Sequence, residues 1–122
     1  MFLIKIRVKG YLNNITDKNK EKFDTFAIKN KNKITYMDKN TSYKIETKDN
    51  LIILIRDNKE FMHKFIFDID NITKSEYYIK ELNTNIEVEI MTTEIKITEE
   101  QIKIKYKIID NNNEYIFFLD LE

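Results

Sequence analysis

Few side chains in this sequence could carry out chemistry. The chain has one histidine, His63, and no cysteine, so neither a cysteine nucleophile nor a thiolate metal site can exist. A serine triad would need His63 together with Ser42 or Ser75, and neither serine lies in a nucleophile-elbow motif. One histidine also cannot form the multi-histidine sites that catalytic zinc favours. We therefore predict a protein that is not an enzyme and that uses no metal ion and no cofactor.

His63 lies in a stretch where aromatic residues recur at alternate positions, with Phe61, Phe65 and Phe67 on the same face of a predicted strand. That spacing favours an inward-facing imidazole, and two roles are open to it. His63 is either a structural core histidine whose neutral ring satisfies one polar partner, or part of a barrel mouth that binds the polar end of a ligand. The candidate ligand-binding residues in the second interpretation are Arg56, His63, Tyr36, Tyr43, Tyr78 and Tyr106.

The charge balance argues against a polyanionic partner. The chain carries 21 basic and 21 acidic residues, so it has no net field that would attract nucleic acid or an anionic membrane surface. The densest lysine stretch, 18–33, spans two successive hairpin connections, which lie at opposite ends of a meander. Its lysines are therefore not expected to form one patch, and nucleic-acid binding is disfavoured.

The composition also limits location and domain organisation. The longest aliphatic run, Leu51 to Ile55, is far shorter than the ~20 residues that cross a bilayer, and lysine at position 5 interrupts the apolar start of the chain too early for a signal peptide. The lack of cysteine fits a reducing compartment, so we predict a cytoplasmic protein without a membrane span. With no proline and only Gly10 as glycine, no linker is recognisable. Residues 1–122 are predicted to form one domain.

Alternating apolar and polar residues predict a series of strands separated by turns rich in asparagine. A loop is expected over 13–22, and the second strand is expected to open with Phe26 and Ile28. The fifth strand, 51–56, is apolar at nearly every position, which suggests that both of its faces are covered. The apolar positions expected to face inward in the first strand are Phe2, Ile4, Ile6, Val8 and Leu12.

No segment shows a 3.6-residue period long enough for a main helix, and about nine strands of five to ten residues can be counted. An open sheet of that many strands would curl, and joining the first strand to the last removes both exposed edges. The sequence therefore predicts an all-β fold, a single antiparallel meander closed into a calycin- or lipocalin-like β-barrel of about 8–10 strands. A two-sheet sandwich is the alternative.

The order of these segments, from about Ile4 to Leu121, resembles the YwiB-like family of small bacterial proteins, also described as DUF1934. The resemblance implies a calycin-like barrel and no particular reaction. Members of the family usually carry one glycine after the arginine and another in the turn before the Ile86 strand. This chain has Asn58 at or near the first position and Asn83 at or near the second. The segments that carry the resemblance are Ile34-Thr35-Tyr36-Met37-Asp38, the turn Arg56-Asp57-Asn58, Phe65, and the run from Tyr78 to Thr92 leading into Ile95 and Ile97.

Two functions follow as hypotheses. The first is non-enzymatic binding of a small, partly apolar ligand inside or at the mouth of the barrel, an analogy based on fold. The second is a protein-interaction or structural module, with a fully packed barrel whose outer surface meets a protein partner or forms a homodimer. A void lined by Arg56, His63 and tyrosines would favour the first, and a filled interior beside an exposed apolar patch would favour the second.

Overall fold

The computed structural model describes residues 3–122, so the expected strand position Phe2 lies outside the described residues. Residues 3–122 contain ten strands and no helix. The strands are β1 (Ile4–Asn14), β2 (Asn19–Asn30), β3 (Lys33–Asp38), β4 (Thr41–Lys48), β5 (Leu51–Asp57), β6 (Phe61–Asp68), β7 (Thr73–Ile79), β8 (Thr84–Ile97), β9 (Gln101–Ile108) and β10 (Glu114–Leu121).

Each strand pairs antiparallel with the next, and β1 also pairs with β10 over Val8 to Asn14, which closes the sheet. The prediction of an all-β fold with a closed antiparallel barrel is confirmed. Successive connections alternate between the two ends of such a barrel. We call the end that carries the β1–β2, β3–β4, β5–β6, β7–β8 and β9–β10 connections the Arg56 end, and the opposite end the terminal end.

Turns in this chain form without glycine. Among residues 3–122, those with positive φ are all lysine, asparagine or aspartate, as in the β3–β4 turn at Lys39 and Asn40. Asn83 has a φ of 48° and stands near a position where the YwiB-like family usually has glycine. Asn58 acts differently, because its Oδ1 accepts hydrogen bonds from the backbone amides of Glu60 and Phe61. Asparagine side chains thus supply both turn conformation and turn hydrogen bonds.

The single glycine serves strand packing. Gly10 pairs with Leu119 of β10, and a Cβ at Gly10 would lie 1.9 Å from the carbonyl oxygen of Phe118. Because no side chain other than hydrogen fits at that distance, β1 and β10 can approach this closely only with glycine at this position. Gly10 therefore allows the close contact at the seam that closes the barrel.

The β1–β2 hairpin departs from the sequence prediction. The expected loop over 13–22 is mostly strand, with only residues 15–18 between β1 and β2. Phe26 and Ile28 face outward, 59% and 41% exposed, while Phe23 and Ala27 are buried. The reason is the register with β1, which places Ala27 opposite Ile6 and so puts the odd-numbered residues of β2 on the inner face.

The apolar fifth strand is half-covered on its outer side. Ile52 and Leu54 are buried, whereas Ile53 and Ile55 are of intermediate exposure. No helix packs outside this strand within residues 3–122. Ile55 instead lies between Lys44 and Lys64 of the neighbouring strands, whose aliphatic stems can cover apolar surface while their ammonium groups stay in water.

The interior of the barrel is filled by side chains from all ten strands. Toward the terminal end this core is aliphatic and aromatic, whereas tyrosines gather toward the Arg56 end. Two of the buried residues in the described range 3–122 are polar, Ser75 and Thr92. The buried apolar residues are Val8, Phe23, Ala27, Ile34, Tyr36, Tyr43, Ile45, Ile52, Leu54, Phe65, Phe67, Ile90, Ile102, Ile104, Tyr106, Phe117 and Leu119.

Candidate functional site

Arg56 is the central residue of the candidate site. It lies near the end of β5, opposite Tyr43 of β4 and His63 of β6. Its side chain is only 16% exposed. The guanidinium carbon lies 5.5 Å from the ring centroids of both Tyr43 and Phe61, a cation–π arrangement on two sides. A charged guanidinium is therefore held between two aromatic rings, mostly out of water.

The hydrogen-bonding capacity of Arg56 is not used up. Its Nε atom is buried and has no hydrogen-bond partner among the described residues. Its Nη2 atom lies 3.7 Å from Oε2 of Glu21 on β2, which is too long for a hydrogen bond. By contrast, Arg7 binds both carboxylate oxygens of Asp24 at 3.0 and 3.1 Å. The site thus holds a partly buried cation with a loosely placed counter-ion.

Two tyrosines flank this cation from β3 and β4. The rings of Tyr36 and Tyr43 are stacked, with centroids 4.8 Å apart, and Phe23 meets Tyr43 edge-on at 5.1 Å. Burial raises the pKa of Tyr43 and raises that of Tyr36 well above its ordinary value. The Tyr36 hydroxyl is buried and has no partner within the described part of the chain. A second polar group at this end is therefore a neutral donor without an acceptor.

Tyr106 of β9 joins the same end of the core. Its ring stacks on Tyr115 with centroids 5.0 Å apart and also contacts Phe65 and Phe67. Burial is the largest cause that raises the pKa of Tyr106, and the charge of Arg56 partly opposes it. The opposite residue on β8 is Thr92, whose buried Oγ1 has no partner among residues 3–122.

His63 faces inward and has one polar partner. Its Nε2 lies 2.8 Å from Oγ of Ser75, which is fully buried. Its ring packs against Phe65 and, edge-on, against Tyr77. Burial first, and the charge of Arg56 second, lower the pKa of His63 from 6.5 to about 4. His63 is thus neutral at neutral pH, in the arrangement expected of a core histidine.

Tyr78 is not part of this cluster. The structure places it on the outer face, opposite Met62, with its hydroxyl donating to Oδ1 of Asn83. The inward position is taken by Tyr77, because Ser75 is buried and side chains alternate along β7. The prediction that Tyr78 lies with the mouth residues is therefore corrected, because Tyr77, one position earlier, points inward instead. The five other candidate residues, Arg56, His63, Tyr36, Tyr43 and Tyr106, all lie in the inner cluster toward the Arg56 end.

Several residues of the cluster were missed by sequence reasoning. Glu21 was assigned to a loop, so its place opposite Arg56 could not be foreseen. Tyr115, also missed, lines a surface cleft at the Arg56 end together with Glu21. Alternation along β10, which puts Tyr115 on the same face as Phe117 and Leu119, was the available signal. Phe23 and Tyr77 were missed as well. Phe61, which was predicted on the same face as His63, and Ser75, which was considered as its partner, were not among the predicted ligand-binding residues.

That cleft has a volume of about 320 Å³ and is lined by Leu12, Asn14, Asn19, Lys20, Glu21 and Tyr115. Glu21 connects it to Arg56, since Glu21 lines the cleft and its Oε2 lies 3.7 Å from Nη2 of Arg56. Within the described part of the chain, none of the five clefts that we characterise is lined by Arg56, His63, Tyr36 or Tyr43. The candidate site is therefore a cleft at the mouth with a polar cluster behind it.

The His63–Ser75 pair resembles part of a triad, but Ser75 is fully buried and the imidazole has a low pKa, so the pair is poorly placed to attack a substrate. No group of three or more acidic or histidine side chains within residues 3–122 is arranged to hold a metal ion. Residues 3–122 also include no helix with the length and apolarity needed to span a membrane.

The geometry defines a ten-stranded, closed, up-and-down barrel with an arginine–tyrosine cluster beside a cleft at one end. Among solved structures, the fold is similar to that of the ywiB protein from Bacillus subtilis, with a TM-score of 0.69 and 16% sequence identity over 98% of this chain and 90% of that chain. No protein-family model and no curated protein sequence matches the chain. The similarity supports a YwiB-like fold.

Proposed function

We propose that this protein binds, without catalysis, a small and partly apolar ligand at the Arg56 end of the barrel. The observation that carries the proposal is the pair of buried donors Arg56 Nε and Tyr36 hydroxyl, which have no partner within the described residues and lie in a mainly apolar interior. A buried polar group without a partner costs about 1–3 kcal/mol. A ligand with an acceptor group would remove that cost.

The cleft beside Glu21 supplies the place for the rest of the ligand. Its volume of about 320 Å³ lies at the lower end of the range for small-molecule sites. Leu12 and Tyr115 provide apolar surface in the cleft, and Lys20 and Asn14 provide polar groups at its edge. A molecule of modest size could rest its apolar body there and extend its polar group toward Arg56.

The competing function is a protein-interaction or structural module. It is favoured by the filled interior, since Phe23, Tyr36, Tyr43 and Phe117 already occupy the space near Arg56. The exposed side chains at the terminal end, such as Ile69 and Ile97, offer apolar surface for such a partner. The two functions differ in one measurable respect, which is whether the protein carries a small molecule.

The test is native mass spectrometry of the protein purified from its own host, followed by denaturing extraction and identification of any released compound. The matched pair of variants is Arg56→Met and Arg7→Met, since Arg7 is the only other arginine and pairs with Asp24 on the surface. We expect a stoichiometric small molecule on the wild type and on Arg7→Met, and at least a tenfold loss on Arg56→Met. A bare wild-type chain at monomer or dimer mass would contradict the proposal and favour the interaction module.

A further inference from the structure

We propose that the ligand of the Arg56 end carries a single carboxylate, and that the Glu21 side chain holds the place of this group until the ligand displaces it. This inference rests on the function proposed above and specifies its ligand class. Three features of the molecule lead to it, namely the geometry of the Glu21–Arg56 pair, the charges around it, and the way in which β2 is held.

The Glu21–Arg56 pair brings a carboxylate and a guanidinium together but lacks the two parallel hydrogen bonds that such a pair can form. A guanidinium stays charged in proteins and binds carboxylates through two parallel hydrogen bonds. Arg7 and Asp24 on the surface show that geometry, whereas Glu21 approaches Arg56 only to 3.7 Å and leaves Nε unpartnered among residues 3–122. A free carboxylate, not tethered to β2, could come closer and accept from Arg56 and from the Tyr36 hydroxyl.

The charges near the site match one negative charge. Arg56 contributes one positive charge, His63 is neutral at neutral pH because of its lowered pKa, and the neighbouring tyrosines are neutral because burial raises their pKa values. A monocarboxylate that replaces Glu21 therefore preserves the balance around the guanidinium. A phosphate group carries more negative charge than the guanidinium of Arg56 balances, and Lys20, a second cation that lines the cleft, has its ammonium group 4.1 Å from the ring centroid of Tyr11.

Glu21 can leave without disrupting the sheet. Pairing between β2 and β3 covers only Ala27 to Asn30 of β2, and within residues 3–122 no backbone hydrogen bond joins 19–26 to β3. This half of β2 is held by β1, where Glu21 pairs with Leu12. The Glu21 side chain is 48% exposed and lines the cleft, so a rotation about its side-chain bonds would move the carboxylate into water and open the route to Arg56.

The test compares three probes with one apolar body and different head groups: phenylbutyrate, phenylbutanol and phenylbutyl phosphate. Binding is measured by titration calorimetry, and the site by amide shifts of Arg56 and Glu21. The variants are Glu21→Gln and Glu21→Ala, with Glu87→Gln as the matched control because Glu87 forms a pair with Lys74 at the same 3.7 Å on the outer face. Thermal midpoints confirm that each variant is folded.

We expect phenylbutyrate to bind more tightly than the other two probes, and removal of the Glu21 charge to lower its Kd about fivefold, as loss of a weak competing ion pair would give. Glu87→Gln should leave the Kd unchanged. Equal binding of the alcohol, tighter binding of the phosphate, or an unchanged Kd in both Glu21 variants would overturn the inference.

The failure of this inference can be told apart from the failure of the proposed function. If the protein from its host carries a neutral molecule that Arg56→Met loses, the binding function stands and the carboxylate class is wrong. If no probe binds and the protein from its host is bare, both are wrong.

Discussion

The pH dependence of stability tests the buried placement of His63. The pKa of this imidazole is 6.5 in the unfolded chain and about 4 in the folded protein, since burial and the Arg56 charge oppose protonation. Between these two pKa values the unfolded state binds more protons, so lowering the pH favours unfolding. The loss of unfolding free energy that His63 causes is zero well above pH 6.5, grows as the pH falls through 6.5, and levels off below about pH 4.

The size of the effect follows from the two pKa values. Each pKa unit corresponds to about 1.4 kcal/mol. Because the pKa of His63 is 6.5 in the unfolded state and about 4 in the folded state, acidification from about pH 7.5 to about pH 5 removes roughly 2 kcal/mol of unfolding free energy. This figure allows for slight protonation of the folded state. Carboxylates also begin to titrate in this range, so the wild type alone cannot isolate the histidine.

The assay is urea denaturation of the wild type and of His63→Gln at several pH values. Glutamine retains an amide that can meet the Ser75 hydroxyl, which lies 2.8 Å from Nε2 in the wild type. The variant is expected to lose some packing stability at every pH, and the wild type alone to lose the additional ~2 kcal/mol on acidification. A difference between the two proteins that stays constant from about pH 7.5 to about pH 5 would refute the buried, neutral His63.

Two further changes test the site and the seam of the barrel. Tyr36→Phe removes a buried hydroxyl that has no partner among the described residues, so ligand-free protein refolded from denaturant should gain about 1 kcal/mol; a loss of stability would show that the hydroxyl has a partner. Gly10→Ala places a Cβ 1.9 Å from the carbonyl oxygen of Phe118 and should cost about 2 kcal/mol or more in chemical denaturation. An unchanged midpoint would mean that β1 and β10 are less close than the structure indicates.

The strand pattern was accessible from local sequence. Alternating residues and asparagine-rich turns predicted strands almost throughout, and their number argued for closure, because edges left open would be exposed. The inward placement of His63 was also a local result, since Phe61, Phe65 and Phe67 share its face and the strand period is fixed at two. The prediction of a polar loop over 13–22 was wrong, because polarity alone does not distinguish a loop from a hairpin whose second strand extends past its pairing with β3.

For segments with a weak apolar pattern, the sequence could not predict which side chains point into the barrel. In β2 the exposed Phe26 and the buried Phe23 are both aromatic, so the sequence offers no preference, and the register with β1 decides between them. In β7 the adjacent Tyr77 and Tyr78 pose the same problem, which the pairing with β6 and the buried Ser75 resolve. A shift of one residue along β7 in the inward-facing position was enough to place Tyr78 outside the candidate site.

The sequence by itself determined most of the strand and turn pattern, favoured a closed all-β architecture and offered few side chains that could carry out chemistry, because each of these depends on residue type and short-range spacing. Only the tertiary structure decided that Glu21 lies beside Arg56. Tyr43 and Phe61 reach Arg56 from β4 and β6, which pair with β5, whereas Glu21 reaches it from β2, which does not pair with β5 and meets Arg56 only because the sheet closes into a barrel. The counter-ion that defines the candidate site is 35 positions away from the arginine that it accompanies (56 − 21), a separation at which no local pattern can predict a contact.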